Sequence, residues 1–300
     1  MKWLKRIGIA IAGIVVLVCV AVVAVYAITS KTWSRTYDVT GKVVRVPADS
    51  ATIATGRHLA MAVVKCVDCH GPDLGGSKFI DDPGLGLLVA SNLTAGKGGV
   101  LRMYDDAKLE RAIRHGVRSD GQGLRIMPSY QWQHLADDDL AAIIAYVRSV
   151  PPVDRELPET ELKLLARVLN VAGQFPLFDA MRIDHTFTSP ASVPFGVTKE
   201  YGAYQARVSG CIGCHGETLS GGKIPGTPPE WPPAANLTPT GLAAYKEADF
   251  TTLLRTGVRP SGVKVSDVMP WRFSKDLTDG EIKALWLYLQ TVPKKEFGGR

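Results

Sequence analysis

The sequence predicts a mostly α-helical protein: one membrane-spanning helix at the N-terminus, then two tandem copies of a small helical domain joined by a helical linker. Three observations carry this. Residues 7–28, with Ile7 at one end and Ile28 at the other, form a run of 22 residues without a charge. The pentapeptide Cys-x-x-Cys-His occurs twice, at Cys66–His70 and at Cys211–His215. Around each copy the same further residues recur at nearly constant spacing, the mark of one structural unit written twice.

The apolar run is long enough to cross a bilayer as a helix. Lys2, Lys5 and Arg6 precede it, so the excess of positive charge on the cytoplasmic side leaves the N-terminus in the cytoplasm and the rest of the chain outside. A cleaved signal peptide is the other reading, with Val25, Tyr26 and Ala27 as the cleavage region. The apolar core of a signal is normally about 7–15 residues, so residues 1–36 are expected to stay as an anchor. Cys19 follows Val18 rather than a small residue, and reads as one more lipid-facing apolar side chain. The other four cysteines belong to the two pentapeptides, which leaves no disulfide framework. The net charge of +6 is local: Lys2, Lys5, Arg6, Lys31 and Arg35 supply five, and the remainder balances 30 basic against 29 acidic residues. There is no broad basic footprint for nucleic acid.

The repeat is followed residue by residue. After the first pentapeptide come Gly71, Leu74, Gly76 and Lys78; after the second, Gly216, Leu219, Gly221 and Lys223. Asn92-Leu93-Thr94 matches Asn236-Leu237-Thr238, and Tyr104 matches Tyr245. Arg114 to Arg118 matches Arg255 to Arg259, and Met127-Pro128 matches Met269-Pro270. Each copy closes on an amphipathic helix, with Leu135, Asp137, Tyr146 and Val150 matching Leu277, Asp279, Tyr288 and Val292. This sets one domain at 50–151, a linker at 152–195 and a second domain at 196–300.

Cys-x-x-Cys-His is the attachment motif of c-type haem. Two thiols one helical turn apart reach the two vinyl groups on one porphyrin edge, and the next residue brings an imidazole under the iron. Zinc binding and a redox dithiol use the same residue types, but the longer repeat favours haem. Two covalently bound haems are therefore expected, with thioethers at Cys66, Cys69, Cys211 and Cys214 and proximal ligands His70 and His215. Of the six methionines only Met127 and Met269 occupy equivalent positions. Each stands before a proline, which biases the preceding backbone to an extended form; both are expected as the second axial ligands, the pairing seen in electron-carrying cytochromes. Arg118 and Arg259 match each other and are candidates to pair with haem propionates, with Asn92 and Asn236 near the same edge. His58, His115 and His134 read as structural, and His185 as a surface residue of the linker. In the linker, Leu162, Leu165, Ala166 and Leu169 form one apolar face of a helix expected over 159–171, which would hold the two domains in a fixed relation. Around Trp231, five prolines rule out regular structure and suggest a stiff loop at the haem edge.

The order Cys-x-x-Cys-His-Gly, Asn-Leu-Thr, Arg-x-Gly-Val-Arg and Met-Pro resembles class I cytochrome c domains. In particular it is similar to those of the cytochrome subunit of membrane-bound alcohol and gluconate dehydrogenases, over residues of about 50–151 and 196–294. Those subunits usually carry three such domains, and this chain carries two. The resemblance implies a dihaem carrier in the bacterial cytoplasmic membrane with its haem domains on the periplasmic side. It would pass single electrons from a dehydrogenase or quinol-oxidising complex to a downstream acceptor. A dihaem peroxidase is the enzymatic alternative, and needs an open iron where each copy here offers a methionine. A fixed electron-transfer subunit of a larger complex shares the carrier's chemistry and differs in partnership.

Overall fold

The computed structural model describes residues 2–300. Helix α1 (Lys2–Trp33) carries the apolar run and is exposed along its length as far as Ala21. The backbone then runs extended over 37–49 along the first domain, where Val44 enters the core and the Lys42 amide donates to Glu110 Oε2 at 2.9 Å.

The first domain opens with α2 (Ser50–His58), whose N-terminus is capped by Asp49 accepting from the Thr52 amide. A π-helical turn over Leu59–Val63 leads to α3 (Cys66–His70). A hairpin follows, β1 (Ser77–Asp82) and β2 (Gly86–Ala90), then α4 (Asp106–His115), α5 (Ser129–Trp132) and α6 (Asp137–Ser149). The linker contributes β3 (Glu161–Leu162) and α7 (Leu164–Val171). The second domain repeats the helices as α8 (Lys199–Val208), α9 (Cys211–His215), α10 (Glu247–Thr256), α11 (Trp271–Ser274) and α12 (Asp279–Leu289). Where the first domain has its hairpin, the second has the proline-rich loop.

In each domain the first and last helices cross so closely that only glycine fits. A Cβ on Gly56 would stand 1.8 Å from the Ala142 carbonyl oxygen, and one on Gly202 would stand 2.0 Å from that of Ala284. The contact fixes the angle at which the terminal helices enclose the cysteine helix. Arg114 and Arg255 act as matching struts. Arg114, buried, donates to the Leu135 carbonyl and pairs with Asp137 at 2.9 Å; Arg255 does the same with Leu277 and with Asp279 at 2.6 Å. They tie α4 and α10 to the starts of α6 and α12.

The linker departs from expectation. The helix expected over 159–171 begins only at Leu164, because Glu161 and Leu162 pair with Leu87 and Gly86 as the third strand of an antiparallel sheet. Leu162 joins Leu88, Ala166, Leu177 and Phe178 in a small separate core, and that burial together with the open edge of β2 outweighs helical propensity. Nor does α7 bridge the two domains. It packs on the first domain and on the end of α1. His185 of the linker is pinned to the same domain, its Nδ1 3.1 Å from His115 Nδ1.

The domains instead meet directly, through a pseudo-twofold contact. One buried core runs through both. His58 of α2 pairs with the buried Glu281 of α12 at 2.9 Å, and in the mirrored position Tyr204 of α8 donates to Asp139 of α6 at 2.5 Å. Arg272 of α11 reaches Asp68 of α3 at 3.4 Å, while Gln131 of α5 covers Gly210 and Gly213 at α9. The contact brings the two cysteine helices towards each other.

Candidate haem pockets

Each cysteine helix forms one wall of a cavity, and the methionine of the same repeat lines it too. The first cavity, of about 580 Å³, is lined by Cys66, Cys69, His70 and Met127. The second, of about 340 Å³, is lined by Cys211, Cys214, His215 and Met269. Its apolar wall includes Leu253, Leu254, Val265 and Leu285.

Both histidines are held alike. His70 Nδ1 lies 2.8 Å from the Ser91 carbonyl oxygen and His215 Nδ1 lies 2.7 Å from that of Ala235. A carbonyl only accepts, so Nδ1 carries the proton and Nε2 keeps a free lone pair, the arrangement of a metal-ligating imidazole. Burial holds both imidazoles below their ordinary pKa. The thiols of Cys66 and Cys69 are pushed up to about 12 by burial. Among the described residues no group of three or more His, Cys, Asp or Glu side chains is arranged to hold a metal ion.

The strained backbone repeats with the motif. Leu74 and Leu219, equivalent and fully buried, are both left-handed at φ 54° and 59°. Their carbonyls accept from the amides of Leu93 and Leu237, which fixes the loop leading to the Asn-Leu-Thr segments.

The polar candidates divide. Arg118 and Arg259 both line their cavities; Arg118 also pairs with Asp120 at 3.0 Å. The asparagines serve the loops. Asn92 donates to the carbonyls of Val153 and Arg155 and accepts from Thr94; Asn236 donates to the Lys295 carbonyl and accepts from Thr238. The Asn92 amide nitrogen is thus engaged by backbone carbonyls. Asn236 still lines the second cavity.

Two residues were not singled out from sequence. Arg125 lines the first cavity beside Arg118, and its Nε is buried without a hydrogen-bond partner. Its guanidinium lies 3.7 Å from the centre of the Trp33 ring, and burial lowers its pKa to about 10. A half-buried cation with an unpartnered donor at a haem-sized cavity suits a haem carboxylate. Lys65 lines both cavities. Its Nζ donates to the Val63 carbonyl at 3.0 Å and, across the domain contact, to that of Ser209 at 2.7 Å. Departure from the repeat was the available signal: Lys65 aligns with Gly210 and Arg125 with Asp267.

Comparison with known proteins agrees with this geometry. Residues 51–147 match the family model described as cytochrome c oxidase, cbb3-type, subunit III, and residues 200–293 match that of cytochrome c. The fructose dehydrogenase cytochrome subunit of Gluconobacter japonicus is 26% identical over 84% of this chain and 55% of its own length. The cytochrome c subunit of the quinone alcohol dehydrogenase of Gluconacetobacter polyoxogenes is 27% identical over 82% of this chain and 57% of its own. The gluconate 2-dehydrogenase cytochrome c subunit of Pantoea cypripedii is 29% identical over 38% of this chain and 27% of its own. The chain spans about half the length of the first two. Two cytochrome c domains imply two covalently bound c-type haems, which the paired cavities are furnished to hold. The chain is thus a dihaem cytochrome c, similar in kind to the cytochrome subunits of these dehydrogenases.

Proposed function

We propose that this protein is a membrane-anchored electron-transfer cytochrome, working with a dehydrogenase or quinol-oxidising donor and a downstream acceptor from the periplasmic face of the bacterial cytoplasmic membrane. The observation that carries the reading is the pairing, within each of two abutting cavities, of a Cys-x-x-Cys-His helix with a methionine of the same repeat. Haem bound there supplies a reversible one-electron change at its iron.

The chain's own residues prepare that change. Cys66, Cys69, Cys211 and Cys214 would hold the group covalently, so that it would not exchange. The Ser91 and Ala235 carbonyls orient His70 and His215. Met127 and Met269, each lining the cavity of its own repeat, would ligate the iron through their thioethers, which would favour the reduced metal and leave no site for peroxide. Arg118 and Arg125 in the first domain and Arg259 in the second offset carboxylate charge at the pocket edge. Leu253, Leu254, Val265 and Leu285 of the second cavity would shield a haem there from water, one of the factors that set its potential. Lys65, shared by both cavities, marks where the two sites approach. The anchor keeps the carrier at the surface where membrane donors work. Mass measurement of the purified protein should show two added haems, and spectra of both redox states should be low-spin throughout. A single haem, or a resting high-spin iron that turns over peroxide quickly, would reject the reading.

A further inference from the structure

We propose that the exposed face of α7 lies in the bilayer surface beside the anchor and seats the first domain on the membrane; this rests on α1 spanning the membrane. Four apolar side chains of α7, Leu164, Leu165, Val168 and Val171, form one helical stripe and are exposed. Ala166 on the opposite side is fully buried against the first domain. An apolar stripe with no cover from the chain needs an occupant.

The position of α1 identifies it. The shielded positions of α1 are Val22, Val25, Thr29, Thr32 and Trp33, one stripe along its last turns. There Arg167 of α7 donates to Thr29 Oγ1 at 2.8 Å and lies 4.6 Å from the centre of the Tyr26 ring. The helix is therefore bare on every side only up to Ala21; beyond it Val23, Ala24, Ala27 and Ile28 stay exposed while one stripe is covered. Residues 7–21 rise about 22 Å as a helix, short of the ~30 Å hydrocarbon core. The charges at Lys2, Lys5 and Arg6 oppose sliding the N-terminal end inwards. The anchor can span only if its turns from Val22 to Ile28, about 9 Å of helix, also enter the membrane. Those turns carry α7 against them. The exposed stripe then continues the lipid-facing surface of α1, with Tyr26 and Trp33 as the aromatic residues of the interface. Arg167, stacked on both rings, keeps its charge at headgroup level.

The test uses the full chain with its haems, reconstituted in vesicles of phosphatidylethanolamine and phosphatidylglycerol. Cys19→Ser removes the one thiol outside the haem motifs. Single cysteines for spin labels are then placed at Leu164, Val168 and Val171, with Val16 of α1 and Val263 of the second domain as references. Collision with dissolved oxygen, which concentrates in lipid, is compared with collision with a water-soluble nickel chelate, on the air-oxidised protein, with each label's relaxation in the absence of either collider subtracted so that the contribution of the ferric haems cancels. The proposal expects labels on α7 to favour oxygen, close to Val16 and unlike Val263. Val168→Asp should leave the haem spectra unchanged and lower the oxygen preference at Val171. If Val16 is lipid-exposed and the α7 labels match Val263, the proposal fails and the anchor stands. If Val16 too is water-exposed, both fail. Spin–spin broadening on α7 would show a second copy covering the stripe, and would also overturn the proposal.

Discussion

Lys65 adopts a left-handed backbone at φ 61°, where its counterpart in the second repeat is Gly210 at φ 81°. That conformation costs a side-chain-bearing residue about 1–2 kcal/mol. The ammonium offsets the cost by joining the Val63 and Ser209 carbonyls, and burial holds its pKa below the ordinary lysine value. Lys65→Met should retain the strain and lose the bridge, weakening the domain contact by about 1.5–3 kcal/mol, the range for hydrogen bonds from charged groups. Removing a cation shared by both cavities should also lower both haem potentials, read by redox titration; unchanged potentials would make Lys65 a purely structural tie. Arg125→Leu should lower the potential of the first haem alone, because the second repeat has Asp267 there. That the cysteines, histidine and methionine of each repeat share one cavity was legible in the sequence, because the pentapeptide has fixed local spacing and the repeat marks what both copies share. Lys65 and Arg125 were not, because their roles depend on elements far apart in the chain meeting in space.

Among the elements, the crossings of α2 with α6 and of α8 with α12 are the tightest. Gly56→Ala should destabilise the first domain, and Gly202→Ala the second, by at least the 1–3 kcal/mol typical of overpacking, since each added Cβ meets backbone. Thermal melts followed in each haem's absorption would show it, and an unshifted melt would contradict the close crossing. The closing helix of each domain, α6 and α12, was legible from its amphipathic pattern. The start of α7 was not: Glu161 and Leu162 belong to the periodic pattern, yet the edge of β2 takes them as a strand. Asn92 and Asn236 recur in the sequence, and each ties its loop to the chain leaving the last helix of its domain, a link between distant segments that local sequence does not announce.

At the scale of the molecule, the two domains form one body whose contact includes a titrating pair. The hydrogen bond to Glu281 raises the pKa of His58. Burial pushes the Glu281 carboxyl upwards, but hydrogen bonds from His58 and Thr278 outweigh it and hold the pKa below the ordinary value. A raised histidine stabilises the fold below its unfolded pKa and loses that contribution as pH climbs through the folded one; a lowered carboxylate loses its contribution as pH falls. The pair therefore works fully from mild acid to near neutrality. The melting temperature should fall as pH rises from about 6.5, the ordinary histidine value, through the raised value of folded His58, and His58→Gln should flatten that limb. Asp276, Asp139, Tyr201 and Tyr204 share the neighbourhood, and the limb should survive substitution of Tyr204 by Phe. The two-domain plan was legible from the repeat, whereas the direct contact was not, because its partners, such as His58 and Glu281, lie in different copies. The central claim is that each repeat closes its own haem with its own methionine. Its most direct test is the spectrum of Met127→Ala and of Met269→Ala, oxidised and reduced, with and without carbon monoxide. The account predicts that each substitution opens one haem to the ligand and lowers its potential while the other stays low-spin and closed. A variant whose spectrum is unchanged, or one that opens both haems, would contradict it.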